Sequence, residues 1–409
     1  MRFAPALVWI ATIAGSGVAM AEEAALSREA FAARAVENGP FAAALAARLA
    51  AARAEREAAG LPPNPAFTWD RAAAVSGGRD GEAEDDLALH LPLVLSGRLG
   101  LERAAASADL EAFEARARGQ RAELRREARD AFDEVLAARG RLAVLTEAEA
   151  AATALTRVLA AREKAGESAG YDRERMELEA ALVADQRVAA EAERVRVEVA
   201  AAGLLGLPGT SLPPLEGDLG FESASAVPAP QDPPERPWLQ ALAHEAAAAR
   251  AAALAAERRA VPDPALTAGA RLLDLGRSGS GLGYVVGLEI PLPVLDSGAR
   301  EADRARARAL AVEAECEAGL QRVRRELAAA RANAEARRTR LAAHRRDVLE
   351  RAERLRDLAA KAWSAGGAEL LTLLDTQHAA REARLTALDL ALEARRAETE
   401  LLFLTGDER

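Results

Sequence analysis

Residues 86–98 read DLALHLPLVLSGR and residues 283–300 read GYVVGLEIPLPVLDSGAR. In the first, Leu87, Leu89, Leu91 and Leu93 fall on one side of an extended chain, with Ala88 and His90 on the other. In the second, Tyr284, Val286, Leu288 and Ile290 share a side, with Gly287 and Glu289 opposite. Alternation of period two marks a strand with one apolar face. Each segment is about 10 residues, the length a tilted strand needs to cross a bilayer. A hairpin on a soluble sheet has the same local pattern, so the choice depends on what surrounds the strands.

Each alternating segment has a partner before it. Ala66 to Val75 leads through a Gly-rich turn, residues 76–81, into the first, and Ala265 to Leu275 leads through residues 276–281 into the second. The two pairs are copies in outline. Asn64-Pro65-Ala66 recurs as Asp263-Pro264-Ala265, and Leu91-Pro92-Leu93 as Ile290-Pro291-Leu292, both 199 residues on. Gly166 and Leu205-Gly206 recur 200 residues on, as Gly366 and Thr405-Gly406. Matches in one order at one spacing, carried by proline and glycine, indicate an internal duplication.

Proline sets where long helices can run, because it breaks them. None occurs between Pro92 and Pro208 or after Pro293. Residues 98–164 and 299–363 therefore read as long helices, each about 100 Å at 1.5 Å per residue. Each ends in a glycine-bearing turn and is followed by a shorter return helix, residues 172–203 and 369–404. The expected organisation is a first repeat over residues 22–207, a Pro-rich linker over 208–236 and a second repeat over 237–409. A short helix opens each repeat, near Pro40 and Pro237.

Composition agrees with packed helices. Half of the 409 residues are hydrophobic but only 3% are aromatic. Ala, Leu, Arg and Glu, all strong helix formers, dominate. The net charge of −10 argues against a nucleic-acid partner, which needs a basic face. The single cysteine, Cys316, allows no disulfide within the chain. Met1-Arg2, an apolar run to about Val18 and Ala19-Met20-Ala21 read as an export signal over residues 1–21. No cysteine stands near the cut, so no N-terminal lipid anchor is expected. An exported chain without a long apolar helix can enter a membrane only as strands.

Two hairpins supply four strands, too few to close a barrel, and lipid tolerates no open edge. The chain must associate with itself. Three copies would give twelve strands; closure alone leaves other numbers open.

The Pro-Asn-Pro before the first strand, LPLVLSGR, IPLPVLDSGAR and the final AGGAELLTLLDTQHAAREARLTALDLALEARRAETELLFLTG together resemble outer membrane efflux proteins of the TolC family. The resemblance covers essentially the whole mature chain. It implies a mainly α fold with a small membrane β part: a homotrimer with a 12-strand β-barrel in outer-membrane lipid and a 12-helix α-barrel reaching into the periplasm. It implies the passive exit duct of a tripartite efflux pump, fed by an inner-membrane RND-type transporter through a periplasmic adaptor protein. Small molecules or metal ions would be the cargo. The rival reading is a periplasmic coiled-coil adaptor, which should lack duplicated strand pairs.

The resemblance also implies sites. The helical tips, Ala165, Gly166, Glu167 and Ser168 in one repeat and Ala365, Gly366, Gly367 and Ala368 in the other, would meet the adaptor. Their glycines also suit helix ends. Just past the second tip the family often carries two acidic residues at the pore aperture. Asp375 matches one, and Thr372 stands where the other would be. His90, His244, His344 and His378 are scattered without metal-ligand spacing. No catalytic constellation, cofactor or metal site is expected, and the chain does not read as an enzyme.

Overall fold

The computed structural model describes residues 25–73, 82–165, 170–219, 236–275, 279–292 and 298–406. The expected export signal, most of the Pro-rich linker and Gly166, Glu167 and Ser168 of the first tip lie outside them.

The chain begins with two short helices, α1 (Arg28–Asn38) and α2 (Pro40–Ala58), separated by the Gly39-Pro40 break. Ser27 caps α1, its hydroxyl accepting from the Ala30 amide. Strands β1 (Ala66–Ala73) and β2 (Glu82–Pro92) follow, then the 67-residue helix α3 (Arg98–Lys164) and its return partner α4 (Gly170–Leu204). The same order then recurs: α5 (Pro237–Arg258), β3 (Ala265–Leu275), β4 (Ser280–Glu289), α6 (Ala299–His344), α7 (Glu350–Ser364) and α8 (Leu370–Thr405).

The second long helix differs from the single rod expected over 299–363. Residues Arg345–Leu349 form a π-helical turn between α6 and α7. Such a turn admits one extra residue into an α-helix without a proline or glycine to announce it.

Both long helices start the same way. Gly97 and Gly298, each at φ 74°, precede α3 and α6 in the left-handed region. A side chain there would be strained, and the glycine lets the chain turn from strand into helix within a few residues.

The strands form one antiparallel sheet in the order β1-β2-β3-β4. The centre of the molecule is elsewhere. Phe31, Ala35, Phe132, Val135, Ala138, Val197 and Leu205 pack α1 against α3 and α4. Leu215 and Leu219 lie over this region, and Leu219 joins Ala137, Ala391 and Leu392. Alanine dominates the helix contacts, so the rods approach closely; α5 alone buries Ala241, Ala246, Ala248, Ala249, Ala253, Ala255 and Ala256.

Candidate functional site

Two ends of the molecule carry features that packing alone does not require. At one end lies the sheet. Residues directly opposite in an antiparallel ladder share a face. One row runs Phe67, Leu89, Ala268, Val286; the next runs Trp69, Leu87, Ala270, Tyr284; a third joins Leu91, Leu266 and Leu288. This face is apolar and open: Tyr284 is 85% exposed, Val286 70% and Trp69 63%. Trp69 and Tyr284 stand in the same row, and the row beyond it holds Arg71 and Asp85, 3.5 Å apart. The Trp69 indole N–H donates to Asp85 at 3.0 Å. On β1 and β2 the apolar band gives way past the aromatic row to charge, while Leu272 and Leu282 continue it on β3 and β4; an apolar band with aromatic residues near its end is the profile of a strand crossing a bilayer interface.

The opposite face is polar. Its rows hold Thr68, Asp70, Glu84, Asp86, His90, Thr267 and Arg271, with Leu273 and Val285 among otherwise small residues. Arg271 is clamped by Asp86, with Nε and Nη2 donating at 2.8 and 2.7 Å, and its Nη1 lies 2.5 Å from Glu84. The His90 ring bridges Thr267 at 2.8 Å and Thr68 at 3.2 Å. One face suits hydrocarbon and the other water. The alternation of the sequence contains this signal, since His90 already falls opposite the leucines. The Arg271–Asp86 pair spans 185 residues and no local pattern shows it.

At the other end are the helical tips. Ala165 closes α3, its amide donating to Ala161. Ala365, Gly366, Gly367 and Ala368 form the second turn. Gly366 sits at φ 76°, and the Gly367 amide donates to the Ala362 carbonyl at 2.8 Å. These bonds satisfy the last carbonyls of α7, as a left-handed cap does. Behind the tips an apolar cluster of Leu155, Leu159, Met176, Leu370, Leu373 and Leu374 ties the two hairpins together, and Arg162 stacks over Trp363 at 4.6 Å.

Thr372 and Asp375 lie one turn apart on the exposed side of α8, while Leu373 and Leu374 between them are buried. Asp375 lines an open groove of about 450 Å³ between α4 and α8, with Arg175, Leu178, Leu182, His378 and Glu382. Glu179 closes its floor: His378 Nε2 lies 2.6 Å and Arg381 Nη1 3.0 Å from the same carboxylate oxygen. These partners are some 200 residues apart, so the sequence alone does not join them.

Among the described residues no group of three or more His, Cys, Asp and Glu could hold a metal ion, and no helix is long and apolar enough to cross a membrane. The latter says nothing of strands.

A family model described as outer membrane efflux protein matches residues 234–407. No curated protein matches the chain. Solved structures resemble it over nearly its whole length. The outer-membrane channel OprN is 22% identical with a TM-score of 0.78, covering 93% of this chain and 89% of that one. CusC, described for conformational changes in folding and transmembrane channel formation, is 19% identical with a TM-score of 0.77, covering 92% and 91%. The open state of the Neisseria gonorrhoeae MtrE outer membrane channel is 18% identical with a TM-score of 0.76, covering 93% and 88%. Residues 234–407 are thus similar to the outer membrane efflux protein family, and the chain as a whole carries the fold of outer-membrane channels such as OprN and MtrE.

Proposed function

We propose that the chain is one of three protomers of a passive outer-membrane exit duct, the last component of a tripartite efflux pump. The observation that carries this reading is the two-faced sheet. Its apolar face carries the Trp69–Tyr284 row, and its polar face carries Arg271, Asp86 and His90. Four strands with two open edges cannot stand alone in lipid, so copies must close the barrel. The helices then extend the duct into the periplasm.

The tips, Ala165 to Ser168 and Ala365 to Ala368, are the surfaces offered to a periplasmic adaptor, which in turn meets an inner-membrane RND-type transporter. Asp375 and Thr372 stand at the entrance. Small molecules or metal ions are the cargo, and the duct performs no chemistry on them.

Membrane fractionation with native mass measurement tests the reading. A heat-resistant trimer in the outer-membrane fraction, conducting ions in planar bilayers, is the expected result. A soluble monomer overturns it.

A further inference from the structure

On one side of α5 its neighbours α3 and α6 enclose a groove of about 320 Å³, within the range of small-molecule sites. We propose that this groove binds small organic anions, an aryl or alkyl carboxylate whose charged end sits on Arg304 and Arg308 and whose apolar body lies on alanine. The inference rests on the duct reading for its place in the assembly and adds to it a class of cargo.

The helix faces set where the groove opens. α3 and α6 both lie against α5. They close over the side that carries Ala248 and Ala249, which are 3% and 7% exposed, while Ala247, Arg250 and Leu254 on the opposite side stand open. The three helices thus form a wall that curls toward the groove. In a ring of copies such a wall turns its concave side inward, so the groove faces the lumen of the proposed duct. It begins at Glu301, within one turn of the start of α6, and ends at Val312, about 16 Å further on at 1.5 Å per residue. This is the sheet end of the helices, whereas Asp375 stands near the tips.

The charges select the ligand. Arg116 is paired with Glu245, and Glu301 with Arg259 just past α5. Arg304, Arg308 and Asp109 are the charged lining residues that remain. Arg304 and Arg308 stand one turn apart on one face of α6. Among the described residues neither makes a hydrogen bond or a close ion pair; Asp109 feels the charge of Arg308 without a bond to it. Two guanidiniums against one carboxylate leave a positive excess, in a chain whose net charge is −10. The planar fork of a guanidinium matches a carboxylate in shape as well as sign.

The rest of the lining is small and apolar: Ala248, Ala249, Ala252, Ala305 and Val312. Side chains of this size leave room for a ligand, whose buried apolar surface contributes about 25 cal/mol per Å². A bare inorganic anion would leave that floor wet, and an organic cation would meet the two arginines. The lining therefore matches an amphipathic monoanion.

Equilibrium dialysis of 2-naphthoate, a fluorescent aryl carboxylate, against the purified full-length protein tests this. The parent should bind one molecule per chain. Arg304→Gln combined with Arg308→Gln should weaken binding by about tenfold or more, since charge-assisted hydrogen bonds are lost. Asp109→Asn should tighten it several-fold by removing the competing carboxylate. Ala252→Leu should abolish it by filling the floor. Arg306→Gln should leave it unchanged, because Arg306 pairs with Glu257 and is not part of the lining. The opposite signs of the arginine and aspartate variants separate this site from partition into detergent, and native mass shows that each variant is assembled as the parent is. No saturable binding by the parent, equal affinity in the double variant, or weaker binding by Asp109→Asn overturns the proposal. A conducting trimer that fails to bind keeps the duct and removes the site. A monomer that binds through Arg304 and Arg308 keeps the site and removes the duct.

Discussion

Arg28 Nη2 lies 2.8 Å from Asp133 Oδ2, and Arg28 Nε reaches both oxygens of that carboxylate at 3.0 and 3.1 Å. The same guanidinium donates to the hydroxyl of Thr399, so one side chain of α1 joins α3 to α8. Asp133 is 2% exposed. Burial pushes its carboxyl above the ordinary carboxylate range even with Arg28 opposing the shift. Removing one partner of a buried pair leaves the other charge uncompensated. Arg28→Ala should therefore cost about 3 kcal/mol, read as a lower unfolding midpoint in denaturant. Replacing Arg28 and Asp133 together by Met and Leu should cost much less.

Asp130, one turn before, has the opposite character. Its Oδ1 is buried without a hydrogen-bond partner, and Arg126 comes no closer than 3.6 Å. Burial, with the neighbouring charge of Asp133, lifts its carboxyl to about 6 from an ordinary 3.8. The folded chain thus holds this proton more tightly than the unfolded one. The group favours folding fully below about pH 4, and that contribution is lost as pH rises through about 6. Asp130→Asn should be more stable than the parent at pH 8 by ~1–2 kcal/mol, discounted for partial solvent access. Below pH 4 the difference should vanish. Thermal midpoints at both pH values check the sign.

The fold class was open to reading because its signals are local. Leu87, Leu89 and Leu91 alternate along five residues, and the absence of proline between Pro92 and Pro208 lets α3 run 67 residues. What escaped was either unsignalled or long-range. Residues 28–38 carry ordinary helix formers, but their helix is held by Phe31 and Ala35 against Phe132, a hundred residues away. The π-turn at 345–349 has neither proline nor glycine. Asp375 is singled out only by the family resemblance, whereas the His378–Glu179–Arg381 cluster beside it depends on α4 and α8 meeting.

Helix spacing gives a sharp contrast. A Cβ at Gly319 would stand 2.6 and 2.7 Å from ring atoms of Trp238 and 3.2 Å from Leu239. At Gly119 it would meet only the Pro237 Cβ, at 3.5 Å. Gly319→Ala should destabilise by ~1–3 kcal/mol, since a packed indole must move. Gly119→Ala should stabilise by about 0.5–1 kcal/mol through helix propensity. Equal effects in a denaturant titration would contradict the α5–α6 packing described.

The proposed entrance can be tested by charge. Asp375 is exposed on α8 with Thr372 one turn before it. In the proposed trimer, three copies around an axis would bring three carboxylates together and favour cations. Asp375→Asn should lower the cation-to-anion permeability ratio in planar bilayers, and Thr372→Asp should raise it. Reversal potentials in a salt gradient report the ratio. No change in either variant removes these residues from the aperture.

Val285 and Val286 are adjacent, yet the sheet sends them to opposite faces. Val286 stands in the row of Phe67 and Leu89, one row from the Trp69–Tyr284 girdle. Val285 stands with Thr68, Ala88 and Gly269, on the face that carries Arg271 and His90. If the first face meets hydrocarbon, an arginine at 286 must sit in lipid, at a cost of about 2–4 kcal/mol near the bilayer midplane. An arginine at 285 meets water, on the face that carries Asp86, His90 and Arg271. Val286→Arg should therefore lose heat-resistant trimer from the outer membrane, while Val285→Arg should assemble near the parental level. The pair controls for helix and strand propensity, since the same residue is exchanged one position apart. Equal loss in both variants would show only that the strand tolerates no arginine, and a reversed order would place lipid on the face of Arg271.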